Sequence, residues 1–181
     1  MSLLSYSELC ELVEQGVITN VKPEQINSAS IDITIGAKIL YENPDNPITH
    51  IVLRDREPLV LHEWNLEQHG CFDLLPGQFI LAQSEQVFNL PNNISCEYKL
   101  KSSMARIGIN HALAGWCDAG WHGSVLTLEL MNVTNTHTIQ LQLGDAIGQM
   151  IFFKHAPVPA ERSYAARGRY NNDKEVRGIK E

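Results

Sequence analysis

Short stretches in which apolar and polar residues alternate run along most of the chain and predict β-strands. Residues 30–36 read Ser-Ile-Asp-Ile-Thr-Ile-Gly, so three isoleucines share one face and Asp32 points away from it. Further β-rich segments, separated by Gly, Pro, Asn and Asp, lie at residues 38–41, 51–53, 77–84, 94–101, 124–131 and 149–154. This punctuation predicts an all-β-dominated fold, either an antiparallel barrel or a double-sheet jelly roll.

One clear helix is predicted, at the N-terminus. Ser5 and Glu8 have the spacing of a capping box, and Gly16 can end the helix. Its apolar face consists of Leu9, Leu12 and Val13. We expect this short helix to lie against a sheet.

Proline and asparagine mark two boundaries along the chain. Residues 42–47 predict an exposed turn. Pro157 and Pro159 mark the end of the compact part, so we expect one β domain at residues 1–159 and a polar C-terminal arm at residues 160–181.

The arm concentrates positive charge. It holds six of the fourteen basic residues, namely Arg162, Arg167, Arg169, Lys174, Arg177 and Lys180. One interpretation is a disordered end that only aids solubility. The other is an arm that orders over an anionic ligand, with Tyr164 or Tyr170 providing a stacking or hydrogen-bonding surface.

Composition narrows the possible partners. The 181 residues include 21 acidic and 14 basic side chains, for a net charge of -7. This balance argues against a protein that coats a nucleic-acid polymer or an anionic membrane, because both need a basic footprint. No apolar run is long enough to span a membrane, and the first sixteen residues lack a signal-like pattern, so a cytoplasmic location is expected.

The four cysteines, Cys10, Cys71, Cys96 and Cys117, form no Cys-x-x-Cys pair. We therefore expect no zinc ribbon, no thioredoxin-like motif and no disulfide framework, but reduced thiols in or near the core. A cysteine hydrolase that uses Cys117 with His111 or His122 is a conceivable alternative, although such pairings also arise by chance.

One segment combines small residues, hydroxyls and cations directly after a predicted strand. It consists of Lys101, Ser102, Ser103, Met104, Ala105 and Arg106. Hydroxyls and backbone N–H groups at a helix start can bind phosphate oxygens, and arginine adds charge-assisted hydrogen bonds. The alternative is ordinary helix-start chemistry without a ligand.

A carboxylate lies within the apolar strand that follows. In residues 124–132 the face with Leu126, Leu128 and Leu130 leaves Glu129 on the opposite face. Glu129 could be solvated or could pair with an arginine. In a partly desolvated pocket its pKa would rise, which suits a proton shuttle near neutral pH.

Five short motifs occur in the order in which one family carries them: residues 28–32, 101–106, 118–121, 127–129 and 143–149. Together they resemble the dCTP deaminases, which belong to the dUTPase superfamily. The resemblance covers nearly the whole chain. It implies a distorted jelly roll that assembles as a homotrimer with active sites built from neighbouring subunits, and hydrolysis of dCTP to dUTP and ammonia without zinc.

The resemblance also implies roles for individual residues. Glu129 would move the proton, Ser102 and Arg106 would position water and base, and the Ala114 carbonyl would help to orient the water. The implied nucleotide contacts are Lys101, Ser102, Ser103, Met104, Ala105, Arg106, Asp118, Thr127, Leu128, Glu129, Tyr164 and Arg169.

The expected metal is Mg²⁺ held through the nucleotide phosphates, with no ligand set of protein side chains. The zinc deaminases carry a His-x-Glu and a Pro-Cys-x-x-Cys, and this sequence has neither string. Lys101 stands where the family usually has arginine, so a bidentate phosphate contact becomes a point charge.

Other functions stay open at this point. Asp118 also suits a bifunctional enzyme that converts dCTP to dUMP, or a dUTP pyrophosphatase. Glu129 favours the deaminase, since pure trimeric dUTPases usually place an uncharged residue on this strand and end in a glycine-rich arm. A regulator that only binds nucleotide is the third possibility, and it would need no proton shuttle.

Overall fold

A computed structural model describes residues 2–45, 50–55 and 58–180 of the chain. The strands are β1 (Ser2–Leu3), β2 (Ile18–Thr19), β3 (Ile31–Glu42), β4 (Leu61–Asn65), β5 (Cys71–Leu74), β6 (Phe79–Asn89), β7 (Ile94–Leu100), β8 (Ile109–Asn110), β9 (Trp116–Cys117), β10 (His122–Asn132), β11 (Ile139–Gln142) and β12 (Ala146–Lys154). The helices are α1 (Tyr6–Glu14), α2 (Leu66–His69), α3 (Ser102–Arg106) and α4 (Tyr164–Arg167), with 3-10 helices at Pro23–Gln25 and Ala160–Arg162. The prediction of a mostly β fold is confirmed.

The N-terminal helix forms as its sequence predicts. The backbone N–H of Ser5 donates to Glu8 Oε2 at 2.9 Å, which satisfies one of the free donors at the helix start. Leu9 and Leu12 are buried, and Gly16 follows the helix with a φ of 71°, a conformation that glycine adopts without strain.

The strands of the described residues form a long antiparallel sheet that curls on itself. Its order is β8-β10-β6-β3-β12-β7-β9, with β1 added beside β12, β2 beside β6 and β4 beside β3. A separate pair joins β11 to β5. Because β3 pairs with β12 through its first residues and with β6 and β4 through its later ones, it links the two halves of the curl.

Gly36 explains how β3 can serve both halves. The sequence predicts two separate segments around it, yet the strand is continuous. The pairing with β6 shifts register between Ile35 and Ile39. A Cβ at Gly36 would lie 2.9 Å from the carbonyl oxygen of Ser84, so only glycine permits this close approach.

The core lies inside the curl. The predicted isoleucine face of β3 is confirmed, since Ile31, Ile33 and Ile35 are fully buried. Helix α1 covers one side of this core through Leu9 and Leu12. Burying these side chains supplies the main favourable free energy of the fold.

Residues 51–53 do not form the predicted strand. Leu53 is 88% exposed, and Asp55 N donates to Val52 O at 3.0 Å in a turn. An apolar run without a sheet face to bury it gains little from extending as a strand. The predicted turn at 42–47 is exposed at Pro44 and Asp45, while Asn46 and Pro47 lie outside the described residues.

The arm packs against its own chain over residues 160–180, and its last residue, Glu181, lies outside the described part. Val176 is 2% exposed, and Trp121 Nε1 donates to Tyr170 O at 2.8 Å. These contacts hold the arm beside β10. No helix among the described residues is both long and apolar enough to cross a membrane.

Candidate active site

A cavity of about 330 Å³ lies between β10, the loop around β9 and the C-terminal arm. We call it the glutamate cavity, because Glu129 forms part of its wall. Its lining consists of Leu81, Ala114, Trp116, Cys117, Asp118, Trp121, Val125, Leu126, Thr127, Glu129, Tyr164, Tyr170, Asp173, Glu175, Arg177, Gly178 and Ile179.

Glu129 stands in the middle of β10, opposite Leu81 of β6. Its side chain is half-buried, and burial raises the pKa of the carboxyl from 4.5 to about 7, with a hydrogen bond from its own backbone partly offsetting the rise. Burial acts in this direction because it disfavours the charged form of the acid. The carboxyl therefore exchanges a proton near neutral pH.

The predicted alternation along β10 holds around the glutamate. Leu128 and Leu130 are buried at 1% exposure or less, whereas Thr127 and Glu129 line the glutamate cavity and are half-buried. Leu126 is buried at 6% exposure but lies at a register shift and also lines the cavity. Leu128 is a predicted nucleotide contact, but its side chain packs in the core. Only its backbone groups are left to meet a ligand.

The loop before β9 forms the opposite wall. Gly115 O accepts a hydrogen bond from Tyr98 N at 2.7 Å, and a Cβ at Gly115 would lie 2.4 Å from Tyr98 O. The glycine thus lets the loop lie directly against β7 and places Ala114 on the cavity wall. Trp116 Nε1 donates to Asp118 Oδ1 at 2.8 Å, which fixes the direction of that carboxylate.

The arm closes the third side. Tyr164 lines the cavity, and burial is the largest cause of the raised pKa of its hydroxyl. Asp173 accepts ion-pair contacts from Lys180 at 2.7 Å and from Arg177 at 3.3 Å. Its backbone N–H donates to Ser124 Oγ at 3.1 Å, which ties the arm to β10.

A second hollow of about 390 Å³ adjoins the first, since Asp118 and Tyr164 line both. Arg162 and Arg167 of the arm also line it. Positive charge therefore lies next to the glutamate cavity on the side of the arm.

Six further predicted residues lie elsewhere, in what we call the cationic segment, residues 101–106. None of the six is among the described residues that line the glutamate cavity. Ser102, Ser103, Ala105 and Arg106 are exposed, and Lys101 and Met104 are half-buried. The predicted cradle is thus on the surface of the single chain.

Three of the five motifs meet at the cationic segment. Lys101 Nζ contacts Asp32 Oδ2 at 2.5 Å, and Lys101 N donates to Ile147 O at 3.1 Å. Ser30 Oγ donates to Gln149 Oε1 at 3.0 Å in the same region. Asp32 therefore already engages the charge of Lys101, and Arg106 is the exposed cation of the segment.

The structure thus gathers five predicted residues in the glutamate cavity: Ala114, Asp118, Thr127, Glu129 and Tyr164. Arg169 does not line it; this residue is exposed, and its carbonyl accepts from Lys180 Nζ at 2.8 Å. The sequence reasoning missed Asp173 as a cavity residue. No local signal marks it, because its partner Ser124 is 49 positions away.

The cysteine-hydrolase alternative gains no support from the described contacts. Cys117 Sγ points to Gly115 O at 4.0 Å, and His122 Nδ1 is held 2.9 Å from Gly120 O. His111 packs its ring against the edge of Tyr98, with centroids 5.4 Å apart. In the described part of the chain, no three His, Cys, Asp or Glu side chains gather as metal ligands.

Comparison with known proteins decides the family. Residues 3–155 match the family model described as dCTP deaminase-like. The chain belongs to this family. The resemblance seen in the five motifs is thereby confirmed, and the match includes both the glutamate cavity's β10 and the cationic segment.

Relatives in the dCTP deaminase-like family carry two names. A protein of Methanospirillum hungatei named "dCTP deaminase, dUMP-forming" is 36% identical over 149 residues, covering 81% of this chain and 78% of its own. A protein of Haloarcula marismortui named "dCTP deaminase" is 32% identical over 171 residues, covering 91% of this chain and 86% of its own.

Solved structures confirm the fold. The 2'-deoxycytidine 5'-triphosphate deaminase of Agrobacterium tumefaciens superposes with a TM-score of 0.64 at 22% identity over 83% of this chain, and the chain spans only 47% of that protein's length. The dUTPase of Streptococcus mutans gives a TM-score of 0.50 at 12% identity, covering 77% of this chain and 88% of its own. These likenesses support the dUTPase type of fold predicted from the motifs.

Proposed function

We propose that this chain hydrolyses dCTP at C4 of the cytosine and releases ammonia. One observation supports this most strongly: Glu129 lies half-buried in a cavity, where burial brings the pKa of its carboxyl to about 7. A general acid–base works best when its pKa is close to the working pH. The names of the family relatives point to the same reaction.

The proposed steps follow from the positions of the cavity residues. The ionised Glu129 takes a proton from water, whose oxygen attacks C4. The carboxyl delivers that proton to N3, which keeps it in the product. The carboxylate then takes the proton of the new C4 hydroxyl and passes it to the amino group, so the C4–N bond breaks, ammonia leaves and a carbonyl forms at C4. Ala114 stands on the facing wall, where its carbonyl oxygen can accept a hydrogen bond from the attacking water.

The other cavity residues suit binding roles in this proposal. Thr127 and the backbone of β10 would meet the base edge, and Asp118 and Tyr164 the sugar. Ser102 and Arg106 would come from another copy of the chain, because both are exposed and lie outside this copy's cavity. This arrangement requires the predicted homotrimer or another closed assembly.

Mg²⁺ enters the proposal with its substrate, as magnesium dCTP. Magnesium keeps its waters and usually binds one or two carboxylates and the substrate phosphates. That phosphate oxygens rather than protein side chains hold the metal stays a prediction, and so does the cytoplasmic location.

A second activity is favoured by the relatives' names. The sequence predicts dUTP as the product, with the dUMP-forming enzyme as the alternative. The 36% identical relative is named dUMP-forming, and Asp118 lies on the wall between the two hollows. We therefore propose that the chain also releases pyrophosphate, so that dUMP is the final product.

One experiment separates these activities. The purified chain is incubated with magnesium and either dCTP or dUTP, and ammonia and pyrophosphate are measured separately. Ammonia together with pyrophosphate from dCTP would support the dUMP-forming enzyme. Ammonia without pyrophosphate would support the deaminase and contradict the proposed release of pyrophosphate. Pyrophosphate from dUTP without ammonia from dCTP would indicate a dUTPase, and neither product would contradict the proposed function and favour a nucleotide-binding regulator.

A further inference from the structure

Two of the four cysteines face each other across neighbouring strands. Cys96 of β7 is the direct register partner of Cys117 of β9. Directly opposed residues of an antiparallel pair point to the same face of the sheet, so both thiols enter the same part of the core. Cys96 is 0% exposed and Cys117 is 7% exposed.

The backbone geometry of this pair fits a disulfide. Tyr98 N donates to Gly115 O at 2.7 Å, and hydrogen-bonded and non-hydrogen-bonded pairs alternate along an antiparallel ladder. Cys96 and Cys117 are two positions further along the ladder and therefore form another hydrogen-bonded pair. The Cα atoms of such a pair are about 5.5 Å apart, within the range that a disulfide spans.

The thiols also contact one another. Burial raises the pKa of the Cys96 thiol, and the neighbouring Cys117 thiol adds to this rise through a hydrogen bond and its charge. Cys96 is therefore protonated in the resting state and is a poor first nucleophile.

Only Cys117 of this pair lines the glutamate cavity. Cys117 is 7% exposed and lies on the wall of this cavity of about 330 Å³, whereas Cys96 is fully buried in the core. The other two cysteines, Cys10 and Cys71, are half-buried and serve as internal references for general oxidation.

We propose that Cys96 and Cys117 are a redox-active dithiol that a hydroperoxide converts into a cross-strand disulfide. With hydrogen peroxide, the Cys117 thiolate attacks one oxygen, the O–O bond breaks, and Cys117 becomes a sulfenic acid with release of hydroxide. Cys96 sulfur then attacks Cys117 sulfur, the S–O bond breaks, and the S–S bond forms. The protons of the two thiols leave with the two oxygens, so two thiols and one peroxide give one disulfide and two waters.

The disulfide would tie β9 to β7 at the wall that carries Trp116 and Asp118. A nucleotide in the glutamate cavity should cover Cys117 and slow the reaction, a consequence that rests on the proposed function. A dCTP concentration ten times its Kd should slow disulfide formation about tenfold, since occupancy leaves about one site in eleven open.

The test uses the folded full chain, reduced and then exposed to hydrogen peroxide. Peptide mapping by mass spectrometry without reduction should show Cys96 joined to Cys117 with the loss of two hydrogens, and dithiothreitol should reverse it. In Cys96→Ala, Cys117 should instead gain oxygen. Cys117→Ala should leave Cys96 unoxidised. Cys71→Ala is the matched control, in which Cys96 and Cys117 should form the disulfide as they do in the parent chain.

The outcomes separate this dithiol from the proposed function. A folded chain in which Cys10 or Cys71 gains oxygen while Cys96 and Cys117 do not link would overturn the dithiol, as would resistance of all four thiols to peroxide. Protection is measured in Glu129→Gln, so that dCTP is not consumed. Linking that dCTP does not slow would leave the dithiol standing and contradict a nucleotide in the cavity.

Discussion

The glutamate cavity and the cationic segment place their charges in opposite environments. In the cavity, burial shifts the pKa of Glu129 to about 7. In the segment, Arg106 is exposed and Lys101 is paired with Asp32. Both regions carry motifs that resemble the dCTP deaminases. Within the described part of a single chain, however, no residue of the cationic segment lines the glutamate cavity.

This difference shows which part of the proposed chemistry one chain can set up alone. Desolvation by β10, the β9 loop and the arm tunes the proton carrier within the chain. Phosphate binding needs cations that keep their charge, and exposed arginine meets that need. We therefore expect mutation to separate the two functions, and the proposed function predicts that a second copy of the chain brings them together.

The largest expected effect is at the cavity. Glu129→Gln keeps the shape of the side chain but removes the proton carrier, so kcat for ammonia release should fall about a thousandfold or more. Binding of dCTP, measured by calorimetry, should change little. The control is Glu67→Gln on the exposed helix α2, which should retain full activity. Undiminished turnover in Glu129→Gln would remove the glutamate from the mechanism.

The second prediction tests whether the two regions meet between copies. Arg106→Ala alone should lower kcat/KM about a hundredfold, because an exposed arginine that completes a neighbour's site acts on bound substrate. Unfolding and refolding Arg106→Ala together with Glu129→Gln in equal amounts should restore activity to about a quarter of the parent level. That fraction follows if each site takes its glutamate from one subunit and its arginine from the next.

The mixing result has a matched control in the double variant. A chain that carries both substitutions is refolded with the parent chain in equal amounts. If neighbouring subunits share each site, about a quarter of the sites should again be intact. If each chain forms its whole site alone, the double variant with the parent should give about half, and the two single variants mixed should give almost nothing.

The sequence predicts the cavity better than it predicts the contacts that close it. Helix α1, the isoleucine face of β3 and the alternation around Glu129 all follow from local spacing. The sequence does not predict the strands β4, β5 and β11, because each has only four or five residues, too few for a local pattern to mark it clearly. Residues 51–53 have a strand-like composition but no sheet face against which to pack.

Local sequence patterns do not predict contacts between residues that are far apart in the chain. The pairing of Cys96 with Cys117 depends on the β7–β9 register, and the tie between Asp173 and Ser124 spans 49 positions. The resemblance to the family predicts which motifs act together, and that grouping stays a prediction. It does not show that Lys101 is paired with Asp32, since that contact arises only when β3 and β12 bring residues 32 and 147 beside the segment.

The third prediction concerns the effect of the raised pKa of Glu129 on the free energy of unfolding. A carboxyl whose pKa rises from 4.5 to about 7 on folding destabilises the folded state once pH exceeds both values, because the charged form is buried. Glu129→Gln lacks this effect. The variant should therefore be more stable than the parent at pH 8, by up to about 3 kcal/mol, with the difference shrinking as pH falls from 7 to 4.5.

Urea denaturation at pH 5, 6, 7 and 8 measures this difference. Arg106→Ala at the cationic segment is the comparison, and its stability relative to the parent should show no such trend with pH. A constant offset between Glu129→Gln and the parent at every pH would show that the glutamate has an ordinary pKa and that the cavity is not desolvated.

The smallest expected effect concerns the arm, which adjoins the cavity and brings cations near it. Asp173→Asn removes the carboxylate charge that holds Lys180 and Arg177, while the backbone contact from Asp173 to Ser124 is retained. If loss of this partly buried ion pair weakens dCTP binding by about 1 kcal/mol, KM for dCTP should rise about fivefold. We expect kcat to change less than twofold. Glu63→Gln on β4, which removes an ion pair with Lys38 but does not line the glutamate cavity, is the matched control and should leave KM within twofold. If Asp173→Asn lowers kcat as strongly as Glu129→Gln does, the arm takes part in proton transfer, and the division between a buried proton carrier and separate binding groups is wrong.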